Sequence, residues 1–260
     1  MAGFLVYCYN KIIIHFYIII SSQFMFRQML VIFRKLKYLK IYWLIKVRLS
    51  SNSNFFWVQI GSNNGKAGAI LYYFSKIYKW HGLLVEPVQY LFEELKENYR
   101  NSPDIAFENI AISDHDGVET FYRVEKNNEP GNPRWYEQLG SFHKEVVLKH
   151  RCLVPNIDKH LISERIPVMS FQNLLKKYAV GKIDLLHIDT EGHDYQIIQN
   201  IPFATIKPKM ILYEYRHLSP RDDQICKDLL TSQGYSIIQS HSDNFAYLPN
   251  TRNIGAALGG

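Results

Sequence analysis

From residue 55 onward, short apolar runs alternate with longer stretches whose apolar residues recur every three or four positions. That is the signature of strands followed by helices. Residues 55–60 predict a first strand. Residues 66–78 predict a helix, with Ala67, Ile70, Leu71, Phe74 and Ile77 near helical spacing. A second strand is expected over 82–85, its helix over 87–99, a third strand over 105–112 and an added edge strand over 119–124. Residues 126–165 are polar, with prolines and aromatics and no clear period, so they form an insertion; long irregular stretches inside a domain usually carry function or move. Ser170 opens a short helix that Gly181 stops. Residues 183–188 form a strand ending at Asp189, a helix follows over 193–200, and 209–215 form another strand. Ser219-Pro220-Arg221-Asp222 is a strong helix start: a serine cap, proline at the first position and a carboxylate in the first turn. That helix ends by Gly234, and 235–239 with 245–248 make a closing hairpin pair. The alternation predicts an α/β fold, a doubly wound, mostly parallel sheet with helices on both faces and an antiparallel finish. No internal repeat is evident.

The polar break Ser50-Ser51-Asn52-Ser53-Asn54 divides an extension, residues 1–50, from a domain over 51–260. Charge divides the chain in a similar way. Residues 1–85 hold eleven Lys or Arg and no acid, whereas the remainder holds nineteen basic against twenty-four acidic residues. The net charge of +6 thus belongs to one end, which argues against nucleic acid as the partner of the domain itself. Within the extension, residues 12–20 are almost wholly apolar and 24–33 nearly so, but only fifteen residues separate Lys11 from Arg27. A bilayer span needs about 20. Basic residues from Arg34 to Arg48, interleaved with aromatic and aliphatic ones, suit the surface of an anionic membrane. A packing arm, or an extension ahead of a true start at Met25 or Met29, would explain the same residues. No small-residue cleavage site follows the apolar run, which argues against a secretory signal. Cys8, Cys152 and Cys226 lie far apart with no C-x-x-C, so neither a zinc ribbon nor a disulfide scaffold is indicated. A reducing, cytoplasmic setting is the expectation, with membrane association through the extension as an addition.

The chemistry gathers where strands end. Val58-Gln59-Ile60-Gly61-Ser62-Asn63-Asn64-Gly65 is a strand running into a glycine turn, in which Gly61 and Gly65 permit a tight bend and close approach to a ligand. G-x-G-x-x-G is not met, because Asn63 stands at the second glycine's place, and no Gly-Lys-Ser/Thr phosphate loop occurs. A turn lacking the glycine that hugs a pyrophosphate suits a cofactor without a diphosphate, such as S-adenosylmethionine, whose amino-acid end Ser62, Asn63 and Asn64 could serve. Glu86, in Leu83-Leu84-Val85-Glu86-Pro87, sits at a second strand tip, where a carboxylate accepts both hydroxyls of a ribose. Near the third strand's end, Asn109 or the backbone at Ala111 would meet the adenine. Asp189, Glu191, His193 and Asp194 cluster where a central strand gives way to a helix. Acids there could position a hydroxyl, take its proton or help hold a sulfonium. Asp189, Glu191 and Asp194 could also hold a divalent ion, but no metal is expected; Asp194 as a helix cap explains itself.

These pieces resemble the FkbM-type methyltransferases. The similarity rests on VQIGSNNG, LLVEP, NIAISDHDG, LGSFHKEVVLKH, IDLLHIDTEGHDYQII and KPKMILYEYRHLS, spread in order from about residue 56 to 250. The resemblance implies a Rossmann-like fold, S-adenosylmethionine as methyl donor and O-methylation of a hydroxyl on a sugar, glycan or natural product. It implies Gly61, Asn63, Gly65 and Glu86 at the cofactor and Asp189 near the reacting centre. It does not extend to the first fifty residues. For the proton of the acceptor, Asp189, His193 and His143 are the candidate bases, His143 as part of a lid in the insertion. His187, inside its strand, is expected to pack. Trp135, Tyr136 and Phe142 would suit stacking on a sugar face. A nicotinamide-dependent oxidoreductase on a similar sheet and a non-catalytic, membrane-associated binding module are the alternatives. The acceptor and the oligomeric state are not encoded in any of these motifs.

Overall fold

The computed structural model describes residues 41, 45, 54–66, 70–126, 134–154 and 156–249. The chain divides into two compact units, Met1–Ser51 and Asn52–Gly260. In the first unit the described residues are Ile41 and Ile45, both helical and buried. The apolar and basic runs expected to meet a membrane otherwise lie outside the described residues. Among the described residues, no helix is long and apolar enough to cross a membrane.

The second unit is an α/β domain carrying two sheets. Its larger sheet begins with β1 (Phe56–Ile60), β2 (His81–Val85) and β3 (Ile105–Glu108), parallel and adjacent. The chain then returns to the other side of β1 with β8 (Leu185–Ile188), followed outward by β9 (Met210–Glu214). A final pair, β10 (Ser236–Gln239) and β11 (Asp243–Tyr247), completes seven strands in the order β10-β11-β9-β8-β1-β2-β3. β11 inserts antiparallel between β9 and β10. Because the strand order reverses between β1 and β8, their carboxyl ends diverge into a crevice, the place where open α/β sheets bind ligands. The strand cores are buried on both faces; Val58, Ile60, Leu83, Val85, Leu186, Ile188 and Ile211 belong to one apolar cluster. Continuous apolar runs of this kind mark strands covered on two sides.

Helices connect these strands: α1 (Ile70–Tyr78) after β1 and α2 (Gln89–Asn98) after β2. In α1 the buried stripe runs through Leu71 and Ser75, whereas Ile77, expected on the core face, is exposed. Residues 67–69, which the sequence assigned to the same helix, lie outside the described residues.

The third strand expected over 105–112 is two strands. Its chain turns at Asn109 and Ile110, and β4 (Ala111–Ser113) leaves the large sheet for a second one. There β5 (Gly117–Val124), the expected edge strand, lies between β6 (Gly140–Ser141) and β7 (Leu161–Ser170), in the order β4-β7-β5-β6. The insertion over 126–165 is correspondingly more ordered than its composition suggests. It contains a 3-10 turn at Arg134–Gln138, β6, the short helices α3 (Lys144–Leu148) and α4 (Ile157–His160), and the start of β7. Pairing with β5 over eight residues fixes β7, although its own burial alternates poorly and Pro167 interrupts the sequence signal. The side chains of Val124, Tyr136, Leu139, Val147, Val154 and Ile157 form a separate core beneath this region.

Ser170 caps α5 (Phe171–Lys177), its hydroxyl accepting the Asn173 N–H at 3.3 Å. Gly181 does not stop that helix; it ends at Lys177, and Ala179 takes the left-handed conformation instead. α6 (Asp194–Gln199) follows β8, and α7 (Pro220–Ser232) follows β9. The Ser219 hydroxyl accepts the Asp222 N–H at 3.1 Å, which makes α7 the helix whose start the sequence specifies most fully.

Candidate active site

A cleft opens at the carboxyl ends of β1, β2 and β8, with an empty volume of about 960 Å³ counted to its mouth. Gly61 and Asn63 line one side, Glu86, Pro87 and Val88 the next, and Asp189, Thr190 and Glu191 the side toward β8. Ile110, Ala111 and Ile112 supply an apolar wall, and the second sheet closes over it with Phe121, Gly140 and Phe142.

The glycine turn is shaped by close packing. Gly61 has φ +76°, and a Cβ there would stand 1.8 Å from the Asp189 carbonyl oxygen. Only glycine lets the ends of β1 and β8 approach this closely. Gly65 has φ +78°, but it faces Leu95 of α2 and Tyr99 just after it rather than the cleft. Ser62 is also turned away from the cleft. Its hydroxyl donates to the Gln59 carbonyl at 3.0 Å and accepts the Val85 N–H at 3.1 Å, tying the turn to β2. Asn63, at φ +52°, donates its backbone N–H to Glu86 Oε2 at 2.7 Å.

Glu86 is therefore held from both sides, because its Oε1 accepts the Val88 N–H at 2.9 Å. Each oxygen retains a further lone pair for a ligand hydroxyl. The residue is buried yet lines the cleft, and burial lifts its carboxyl to about 7 against the opposing pull of the Val88 and Asn63 N–H groups. Asn109 plays a supporting part. Its amide donates to the Glu86 carbonyl at 2.8 Å and to the Pro87 carbonyl at 3.1 Å, so its side chain sets the Glu86-Pro87 bend and is not in the cleft wall, where an adenine contact was expected. Ala111 does lie in that wall.

Across the cleft, Asp189 is walled in by protein on its inner side and open to the cleft on the other. Burial raises its carboxyl above the ordinary range, and the charges of Glu191, Asp194, Asp243 and Glu86 add to the rise. Water in the open cleft mutes this effect, and a ligand displacing that water restores it. Glu191 follows at φ +50°, its carboxyl raised to about 7 by burial and by Asp194. Its backbone carbonyl accepts the buried Ser141 hydroxyl at 2.7 Å, which joins β6 to the turn after β8. Asp194 is a structural anchor. Its Oδ2 accepts the Thr190 hydroxyl at 2.8 Å and the Thr190 N–H at 3.3 Å, and its Oδ1 accepts the Glu214 N–H at 3.3 Å. The ion-binding trio Asp189, Glu191 and Asp194 is thus not formed, because Asp194 spends its lone pairs on the fold.

The two histidines do not reach the cleft wall. His193 is buried, its ring tilted 4.7 Å from Phe142, with no hydrogen-bond partner on either nitrogen. Burial, with His143 nearby, lowers it to about 4, so it is neutral at physiological pH. His143 is exposed ahead of α3, and its ring lies 6.3 Å from His193. His187 is buried in β8 as expected. Of the three aromatics from the insertion, Trp135 and Phe142 line the cleft, while Tyr136 is buried in the core beneath. Beyond the residues named from the sequence, Glu214 at the end of β9 and His217 just after it stand beside Glu191. A strand-end carboxylate with a histidine three residues on was the signal for them, in the stretch Tyr213-Glu214-Tyr215-Arg216-His217.

S-Adenosylmethionine suits this arrangement. A buried, doubly anchored carboxylate with spare lone pairs matches the ribose diol, and the neighbouring apolar wall matches a planar base. The carboxylates at the β8 end match the positive charge of a sulfonium.

The Methyltransferase FkbM domain matches residues 59–237. No curated protein matches the sequence. Among solved structures, methyltransferase FkbM from Methylobacillus flagellatus KT is similar at 13% identity with a TM-score of 0.45, over 75% of this chain and 44% of that one. The chain therefore spans under half the length of that relative. The Methanococcus jannaschii fibrillarin pre-rRNA processing protein is similar at 12% identity and a TM-score of 0.40, over 76% of this chain and 67% of that one. A human methyltransferase 10 domain containing protein is similar at 11% identity and a TM-score of 0.43, over 82% and 81%. With a domain match spanning well over half of its length and the cleft residues inside that span, the chain belongs to the FkbM methyltransferase family.

Proposed function

We propose that this S-adenosylmethionine-dependent methyltransferase methylates a hydroxyl of a sugar, glycan or other natural product on a Rossmann-like, doubly wound domain. The observation that carries the proposal is the pairing, across one cleft, of the anchored Glu86 carboxylate with the open Asp189 carboxylate. Glu86 and the turn at Gly61 and Asn63 would hold the adenosyl donor, with Ala111 in the wall beside the base. The donor, once bound, supplies an activated methyl carbon. We assign Asp189 as the group that accepts the proton of an attacking hydroxyl, since it is the carboxylate at the β8 end that stands open to the cleft. Trp135 and Phe142 offer ring faces to the acceptor. His143 and His193 lie outside the cleft wall, which leaves Asp189 as the base we favour. The family assignment removes the nicotinamide alternative. Residues 1–50 keep their sequence-based expectation of peripheral contact with an anionic membrane, in a cytoplasmic setting, and sedimentation with anionic vesicles tests it.

Calorimetry is expected to detect the methyl donor on the purified chain. Glu86→Ala should weaken that binding by about 10- to 100-fold, the worth of hydrogen bonds to a charged group. Asp189→Asn should leave donor affinity within a few-fold and lower turnover on a true hydroxyl acceptor by about 10² or more. Wild-type protein that fails to take up the donor would end the proposal.

A further inference from the structure

The β8 and β9 ends gather more acidic side chains than a donor sulfonium accounts for. Glu191, Glu214 and His217 come from three places: the turn after β8, the last residue of β9 and the segment following it. His217 Nε2 lies 3.1 Å from Glu191 Oε2 and 3.7 Å from Glu214 Oε2, and one ligand atom from each residue lies within 4.8 Å of the others. The His217 side chain is only 8% exposed. Glu191 Oε2 and Glu214 Oε2 are both buried and accept no hydrogen bond. One ligand atom from each of the three residues thus clusters around a single point. Buried carboxylate oxygens left without a donor are costly. A positive centre at that common point removes the cost.

We propose that Glu191, Glu214 and His217 form a divalent-cation site in the wall of the cleft. Ligand atoms about 2.0–2.2 Å from one ion are separated by roughly 3–4.4 Å, depending on the angle between them. The separations of His217 Nε2 from the two carboxylate oxygens fall in that range. One imidazole with two carboxylates suits Mn²⁺ or Zn²⁺ better than Mg²⁺, which prefers an all-oxygen shell. Glu191 is the ligand of the three that lines the cleft, and we assign the ion's remaining positions to that side. The ion's use rests on the hydroxyl-acceptor proposal above. A bound hydroxyl would lose its proton to the Asp189 carboxylate, and its oxygen would then bond the methyl carbon as the carbon–sulfur bond breaks and the thioether leaves.

The site is tested without any acceptor. The full chain, freed of metal by chelation, is titrated with MnCl₂ and followed by electron paramagnetic resonance. One saturable Mn²⁺ per chain is expected, with nitrogen coupling from one imidazole in the pulsed spectrum. His217→Ala and Glu214→Gln should each weaken binding at least tenfold, whereas Glu97→Gln, on the exposed face of α2, should not change it. Absence of saturable binding by the wild type, or of the nitrogen coupling, overturns the proposal whether or not the variants fold. Binding that survives both substitutions overturns it as well. Methyl-donor affinity measured on the same chelated sample reports separately on the donor site, so failure of one assignment is not mistaken for failure of the other.

Discussion

Glu86 illustrates how one side chain can serve fold and ligand together. Its two oxygens accept the N–H groups of Asn63 and Val88, so the carboxylate fixes both the glycine turn and the start of α2. Burial nonetheless holds its protonation near 7. A ligand that needs the ionised form must displace a proton below that pH. Donor affinity should therefore rise with pH, by up to about tenfold per unit below 7, and level off above it. In Glu86→Gln the contribution of this group disappears, and the difference between the two pH profiles isolates it from titration of the donor's own amine. Calorimetric titrations from pH 5.5 to 8.5 provide the check, and parallel profiles for the two proteins would remove Glu86 as the titrating group. The same residue shows what a sequence can reveal. Glu86 follows four apolar residues and precedes a proline, so its place at a strand tip was legible. Ser62 and Asn109 look equally suited to a ligand, yet both spend their hydrogen bonds on the backbone. Chain direction places a residue near a site, but the partners that use up its lone pairs and protons come from elsewhere in the fold.

At the scale of elements, the parallel core was legible because each strand is a compact apolar run followed by a helix. The second sheet was not. β4 is three residues long and β6 two, and β7 carries Arg165 and Pro167 among its ten. These strands are held by pairing rather than by their own periodicity. The sheet matters because it carries Gly140, Ser141 and Phe142 to the cleft. Buried Ser141 is the link: its hydroxyl donates to the Glu191 carbonyl at 2.7 Å and accepts the His143 N–H at 3.1 Å. Ser141→Ala leaves both groups without that partner. It should cost about 1–2 kcal/mol of stability and loosen the Glu191 turn, where the backbone already holds a left-handed, non-glycine conformation. Denaturant melts give the first quantity. A slackened turn should also weaken ligands at the β8 end more than adenosine alone, which the proposed donor site would hold on the Glu86 side of the cleft, and competition binding with the two compounds separates these effects.

The molecule as a whole carries an unusual set of buried titratable groups, and they act in opposite directions. Glu86 and Glu191 are raised to about 7, Asp194 to about 6, and Glu214 well above the ordinary carboxylate range, in every case chiefly by burial. These four hold protons more tightly folded than unfolded. His187, His193 and His217 are lowered to about 4 by the same cause, and hold protons less tightly when folded. Between about pH 4.5 and 5.5, unfolding releases protons from the carboxyls and takes them up on the imidazoles, so the two sets nearly cancel and stability changes little. Above about 7 the imidazoles are neutral in both states. The carboxyls are then ionised in the unfolded chain but still must ionise in place when folded, so stability falls as pH rises, by up to ~1.4 kcal/mol per pH unit for each proton still held. A cation in the cleft supplies the charge those carboxyls lack, and should flatten the decline. Thermal melts of the ligand-free chain should show a plateau near pH 4.5 to 5.5 and a midpoint that falls from about pH 6 to 9, with Glu214→Gln reducing the fall. A midpoint that climbs steadily to pH 9 would mean that these carboxyls ionise freely in the folded state, and that the cleft is far wetter than its walls imply.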